Sequence, residues 1–208
     1  GSKDNSINVI KQFTEKYKNI KLYTHDNNTN KGIIASILLG LRKAKGDYIA
    51  FCESDDYWTT DHLERKVELI QTQDNPSIIS NNIELFGDKE CVKVRQIYIN
   101  HINKLLRYGS NKIDIYNNQN MNFIPTLSAV MIKRSILQSL NFESPIPAWI
   151  DFWLYRQILK KHTLLYYDGK ITFWRQHCSY NGNQVANEFE KKIEIFMSES
   201  NKLLDINK

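Results

Sequence analysis

Glu53, Asp55 and Asp56 place three carboxylates within "FCESDDYW", directly after the apolar run "DYIAFC". Like charges this close repel one another. A divalent cation such as Mg²⁺ or Mn²⁺ would relieve the repulsion, because such hard ions take one or two protein carboxylates together with phosphate oxygens. The alternative is a solvated strand-to-helix loop whose Asp side chains form turns and caps. Asp151 is a second candidate. It sits in "WIDFWLYRQIL" among Trp149, Ile150, Phe152 and Trp153, where partial desolvation would raise its pKa toward that of a general base. An Asp at a helix start also reads as an N-cap. His177, with Arg175 two residues before it, could serve as a ligand or a charge partner, or be structural. His25, His62, His101 and His162 show no ligand spacing.

The elements that must position these groups follow from periodicity. Ile7, Ile10, Phe13 and Tyr17 predict an amphipathic helix over 7–17, "IKLYTH" a short strand, and Ile33 to Leu41 a second helix entered through Asn30-Lys31-Gly32. "DYIAFC" predicts a buried strand. Asp61 and Glu64 predict a capping box on a helix whose inner face is Leu63, Val67 and Ile70, and "SIIS" opens the next strand. Helix-length connections between these strands suit parallel pairing, so the first 80 residues predict a doubly wound α/β sheet. The acidic cluster then lies at a strand's carboxyl end, where open α/β sheets bind ligands. Beyond it come a helix over about 97–108, an Asn-rich loop at "YNNQNMN", a strand at "TLSAVMI", a short helix at "SILQSL" and a helix over about 150–162. Strand-like "LLYYD" and "ITFWRQH" and a closing helix marked by Phe189, Ile193, Phe196 and Leu203 complete the chain.

With 208 residues, 41% hydrophobic and 25% charged, the chain can build a sizeable core. The net charge of +5 favours anionic ligands. The Lys residues are scattered rather than striped, which argues against nucleic acid. Cys52, Cys91 and Cys178 are far apart and odd in number, which argues against a disulfide framework and fits a reducing compartment. No apolar run reaches the ~18 residues of a membrane span.

"NKGIIASILLGLRKAKGDYIAFCESDDYWTTDHLERKVELI" resembles the central block of family-2 inverting glycosyltransferases of the GT-A fold. Asn30 and Gly32, then Ala44-Lys45-Gly46-Asp47-Tyr48-Ile49, then Glu53, Asp55, Asp56, Tyr57 and Trp58 stand in that family's order, the last group matching its DXD metal motif. "GSKDNS" is similar to the end of the family's Asp-Asp-Gly-Ser-x-Asp segment. That match implies that the first βαβ start lies upstream and that Asp4 belongs to the nucleotide site; a tag scar is the alternative for Gly1-Ser2. "WIDFWLYRQIL" resembles the catalytic segment, and "FWRQHCSYNGN" the segment that closes over the nucleotide.

The resemblance implies an α/β fold, GT-A-like, with a doubly wound, mainly parallel sheet flanked by helices and truncated at its N-terminus. It divides the chain into a nucleotide-sugar part (1–82), an acceptor-binding and catalytic part of the same domain (83–183) and a C-terminal helix (184–208). Asp151 is implied as catalytic base. Asp4, Asn30, Gly32, Glu53, Asp55, Arg175 and His177 are implied as donor contacts, and Asp55, Asp56 and His177 as ligands of Mn²⁺ or Mg²⁺. Beside Asp151, Trp149 and Trp153 read either as core or as acceptor platforms, since sugar C–H faces stack on aromatic rings. Donor and acceptor are a nucleoside-diphosphate sugar, UDP-linked first, and a glycan or lipid-linked hydroxyl. The expected setting is bacterial surface polysaccharide synthesis at the cytoplasmic side of the membrane, with peripheral association.

Two departures stand out. Ile37-Leu38 replaces the family's Arg-Asn pair, and Glu53 replaces the commoner Asp. The competing functions are a catalytically degenerate GT-A-like binding protein, a sugar-nucleotide pyrophosphorylase and, last, a basic nucleic-acid module.

Overall fold

The computed structural model describes residues 1–73, 75–108, 122–177 and 186–203. Two compact units, Gly1–Lys45 and Gly46–Lys208, make up the chain. The first holds α1 (Ser6–Lys16) and α2 (Gly32–Lys43). The Asp4 carboxylate accepts the Ser6 amide at 3.0 Å, satisfying one of the free N–H groups of the first turn of α1. Asn30 Oδ1 accepts the Gly32 amide at 2.9 Å, and Gly32 has φ +81°, a conformation open to glycine without a Cβ penalty. The expected strand at "IKLYTH" does not form. Residues 20–25 have no ladder partner among the described residues, and a strand exists only through pairing.

The second unit is built on a five-stranded sheet. Its strands are β1 (Tyr48–Ala50), β2 (Tyr57–Trp58), β3 (Ile78–Gly87), β4 (Val130–Lys133) and β5 (Leu164–Gln176), in the order β1-β4-β3-β5-β2. The α/β class is as expected, with α3 (His62–Thr72), α4 (Lys89–Tyr108), α5 (Arg134–Leu137), α6 (Ile150–Leu159) and α7 (Ala186–Leu203) accompanying the sheet. The mainly parallel sheet is corrected to a mixed one. Among the described residues only β3/β5 is a parallel pair; β1/β4, β3/β4 and β2/β5 are antiparallel. β1 and β3 do run the same way, as a helical crossover requires, but β4 lies between them and pairs with both.

The core centres on β3 and β4. Ile78, Ile79 and Ile132 are fully buried, joined by Leu137, Leu154 and Phe196 from the helices. Phe196 of α7 meets the rings of Trp149, Phe152 and Trp153 at 5.4 Å, 5.7 Å and 5.5 Å, which fixes the start of α6. The two strand-like runs after α6 form one bulged strand, β5. Opposite Asn81 and Asn82 its register skips from Tyr167 to Lys170, and the Asn82 side chain bridges the gap by donating to Asp168 Oδ1 at 3.1 Å.

Helix α3 faces inward with a stripe other than the one predicted. Leu63 and Val67 are exposed at 47% and 45%, while His62 and Lys66 are buried on the face they share with Ile70. Periodicity marks stripes without saying which one is covered, and here the covered stripe is polar. The capping box is absent as well: Asp61 makes no side-chain cap bond and instead accepts from Arg65 Nε at 3.1 Å. The reading of the cysteines against a disulfide framework is also corrected. Cys91 is disulfide-bonded and Cys52 is free, while Cys178 lies outside the described residues. Spacing along the chain does not measure spacing in the fold, so the cysteine count no longer bears on compartment. Among the described residues no helix is long and apolar enough to cross a membrane.

Candidate active site

The acidic loop, residues 51–56, joins β1 to β2 and turns on a bond from the Asp56 amide to the Glu53 carbonyl at 3.1 Å. β2 then pairs with β5, Tyr57 opposite Phe173 and Trp58 opposite Thr172, and the Tyr57 ring stacks on Phe173 at 4.4 Å. This short pairing lays the loop beside the end of β5. The Arg175 amide donates to Asp56 Oδ1 at 2.9 Å, and Arg175 Nε donates to the Asp55 carbonyl at 3.1 Å. His177 Nε2 lies 3.0 Å from Asp55 Oδ2. Five of the predicted residues, Glu53, Asp55, Asp56, Arg175 and His177, are thereby brought together.

A turn before β4 braces the loop from the other side. The Thr126 hydroxyl lies 2.7 Å from Glu53 Oε2 and 3.2 Å from Asp56 Oδ2, and its single proton serves the nearer. Ser128 Oγ accepts the Glu53 amide at 2.9 Å, and Trp58 Nε1 donates to the Ser128 carbonyl at 2.8 Å. Burial raises both the Glu53 and Asp56 carboxyls, and neighbouring carboxylates add to the shift. Behind the turn, buried Lys66 Nζ donates to the Ala129 carbonyl at 2.8 Å, and burial lowers its pKa to about 7. His62 stacks on Trp58 at 4.1 Å and is pushed by burial to about 4, so it is a neutral core histidine.

Asp151 occupies the first turn of α6 and lines a cavity of about 630 Å³ with Trp149, Phe152, Trp174, Tyr98 and Asn122. Burial pushes its carboxyl up to about 7, and the Glu53 charge adds to the effect. The Asn122 amide donates to Asp151 Oδ2 at 3.4 Å, while the Tyr98 hydroxyl holds the Asn122 carbonyl. Trp149 therefore shares the cavity with Asp151 as expected. Trp153 does not. It is 3% exposed, its indole N–H donates to the Asn141 carbonyl at 2.9 Å, and it lines a different cavity beside Ser144. Asp4, Asn30 and Gly32 lie in the first unit, where they cap and turn its helices. Thr126, Ser128 and Asn122 carry no signal in the sequence: the Thr-x-Ser of "IPTLSAVMI" falls at a predicted strand, and Asn122 ends the Asn-rich loop "YNNQNMN".

Asp55 and His177 bring one oxygen and one nitrogen donor together at a distance that a hydrogen bond and a shared divalent ion both allow. Two ligands about 2.1 Å from one ion and at right angles to each other are about 3.0 Å apart. That is the separation of Asp55 Oδ2 and His177 Nε2. No cluster of three or more His, Cys, Asp or Glu side chains able to hold an ion occurs among the described residues. Both Asp56 oxygens already accept or contact donors.

Residues 1–140 match the family model described as glycosyl transferase family 2. The chain belongs to this family. It is 29% identical over 177 residues to an uncharacterized glycosyltransferase of Haemophilus influenzae, covering 84% of this chain and 64% of that protein. It is 27% identical over 164 residues, 78% of this chain and 56% of the relative, to the Escherichia coli UDP-Glc:alpha-D-GlcNAc-diphosphoundecaprenol beta-1,3-glucosyltransferase WfgD. Among solved structures, S. aureus TarS 1–349 in complex with UDP-GlcNAc matches with a TM-score of 0.62 at 14% identity, over 96% of this chain and 54% of that one. That likeness shows the fold, GT-A. This family-2 chain thus spans less than two thirds of the length of these relatives. The family match includes the acidic loop and Thr126 and ends before Asp151.

Proposed function

We propose that the chain is the catalytic part of a glycosyltransferase that moves a sugar from a nucleoside diphosphate to an acceptor hydroxyl with inversion. The observation that carries this reading is Asp151, a carboxyl raised to about 7 on the wall of a cavity rich in aromatic rings. A base of that pKa is matched to proton abstraction near neutral pH. The acceptor oxygen attacks the anomeric carbon from the face opposite the phosphate. The bond from that carbon to the phosphate oxygen breaks, and the diphosphate departs with the electron pair. Asp151 takes the proton lost by the hydroxyl, and Asn122 holds the carboxyl in position.

Asp55 and His177 are the residues that would hold Mn²⁺ or Mg²⁺, which when bound offsets negative charge on a departing diphosphate. Asp56, tied to Arg175 and Thr126, keeps the loop in shape, and Glu53 helps hold Asp151 protonatable. The names of the relatives support a UDP-sugar donor and a lipid-linked glycan acceptor, hence a cytoplasmic enzyme at the membrane surface in bacterial polysaccharide synthesis.

Titration with UDP, with and without Mn²⁺, tests the donor site. Ion-dependent saturation that Asp55→Asn weakens supports it. Transfer from UDP-glucose to a sugar diphosphate lipid tests the reaction, and Asp151→Asn should slow transfer by about 10²-fold or more while UDP binding persists. Unimpaired transfer by Asp151→Asn would remove the proposed base.

A further inference from the structure

The Asp151 cavity holds a second charged group, the guanidinium of Arg95 from α4, and these two are the only charged residues on its described lining. The guanidinium lies 5.1 Å from the Trp174 ring centroid and 5.9 Å from that of Tyr98, and Arg95 Nε donates to Gln176 Oε1 at 3.4 Å. Two rings and an amide therefore hold the group in place. Among the described residues Arg95 makes no salt bridge. Asp151 lies on the same wall without forming a salt bridge to it among the described residues.

A guanidinium stacked on aromatic faces keeps its planar fork of donors available for an oxyanion. The volume of about 630 Å³ is within the range of sites for small organic ligands. Trp149, Phe152 and Trp174 offer apolar faces to a sugar ring between the two charges. We propose that the acceptor entering this cavity carries a phosphate group bound by Arg95, with its attacking sugar hydroxyl at Asp151. This rests on the reading of the cavity as the acceptor site. Arg95 would then select the acceptor by charge, and a sugar linked to lipid through a diphosphate and a soluble sugar phosphate both present the required group.

The test is calorimetric titration of the chain in EDTA, so that ion-dependent donor binding is silent. The probes are octyl N-acetylglucosaminyl diphosphate, octyl N-acetylglucosaminide and N-acetylglucosamine 1-phosphate. The diphosphate should bind about tenfold or more tightly than the neutral glycoside, as a charge-assisted contact supplies. Arg95→Met should erase that preference, and Arg95→Lys should keep part of it, with unchanged thermal unfolding in both. Tighter binding of the tailed probe than of the 1-phosphate identifies a lipid-linked acceptor, and equal binding a soluble one; either agrees with the proposal. Equal affinity for charged and neutral probes, a preference that survives Arg95→Met, or no binding of any probe overturns it. Failure of ion-dependent UDP binding, with the Arg95-dependent preference intact, would count against the donor site alone.

Discussion

His177 Nε2 and Asp55 Oδ2 lie 3.0 Å apart although 122 positions separate them in the chain. Both side chains are about half exposed, so their direct attraction in water contributes little to stability. In the proposed function the two atoms serve instead as ligands of one ion. His177→Ala and Asp55→Asn should each weaken Mn²⁺-dependent UDP binding by about tenfold or more while leaving the unfolding temperature nearly unchanged. Calorimetry and thermal melts on the same samples check both halves. A large loss of stability without loss of ion dependence would recast the pair as structural.

Asp151 should show its state in the pH dependence of both activity and stability. Its folded pKa is raised from 3.8 to about 7, so kcat should rise as pH increases through about 7 and the carboxylate forms. Asp151→Asn should lower kcat by about 10²–10⁴-fold. Stability moves the other way. A carboxyl raised in the folded state contributes stability that is present below pH 3.8 and is lost as pH rises to about 7. Asp151→Asn should therefore be more stable than the parent chain at pH 8, by roughly 2–4 kcal/mol. Denaturant unfolding at pH 5 and pH 8 gives the difference.

Lys66 gives a second pH signature. Its amine is fully buried, and its pKa falls from 10.5 to about 7. Between those values the unfolded chain binds more protons than the folded one, so this group makes stability rise with pH from about 7 to 10.5. Lys66→Met removes that slope, an effect of roughly 3–5 kcal/mol across the window. Lys66→Ala should also lose about 2–4 kcal/mol to the cavity it opens beneath the turn before β4. A parent chain whose stability is flat from pH 7 to pH 10 would contradict the buried amine.

Thr126 connects the acidic loop to that same turn. Thr126→Val keeps the shape and removes the hydroxyl that reaches Glu53 and Asp56. The expected cost is about 1–2 kcal/mol, because a half-buried carboxylate loses its donor. Thr126→Ser should retain most of the stability and activity. Equal behaviour of the Val and Ser variants would show that the hydroxyl is idle.

How far the sequence could be read depends on which physical cue each residue offered. The acidic loop was legible because three carboxylates after an apolar strand are costly unless used, and the order of motifs from Asn30 to Trp58 is specific. The inner face of α3 was not legible. A buried Lys is so rare that Leu63 and Val67 were the natural choice, yet the Ala129 carbonyl and the Trp58 ring make a polar stripe the better fit. Trp153 looked like a platform because its neighbours are aromatic; only the Asn141 carbonyl, brought close by folding, shows that its indole belongs to the core. The parallel direction of β1 and β3 was implied by their connection, whereas the insertion of β4 between them depends on a pairing more than 80 positions away from β1.

The strand order carries one more implication. β1 and β2 are neighbours in the chain, yet they form the opposite edges of the sheet. Four strand spacings amount to about 19 Å on a flat sheet, and the six intervening residues could reach across only if drawn nearly straight, at about 23 Å. They are not straight, because the loop turns back at Glu53 and Asp56. The sheet must therefore bend its edges toward each other, and residues 51–56 act as a clasp across the opening. The carboxylates thus ride on the curvature of the whole sheet, and a core substitution that flattens it would pull the acidic loop away from Arg175 and His177 before it cost the protein its fold.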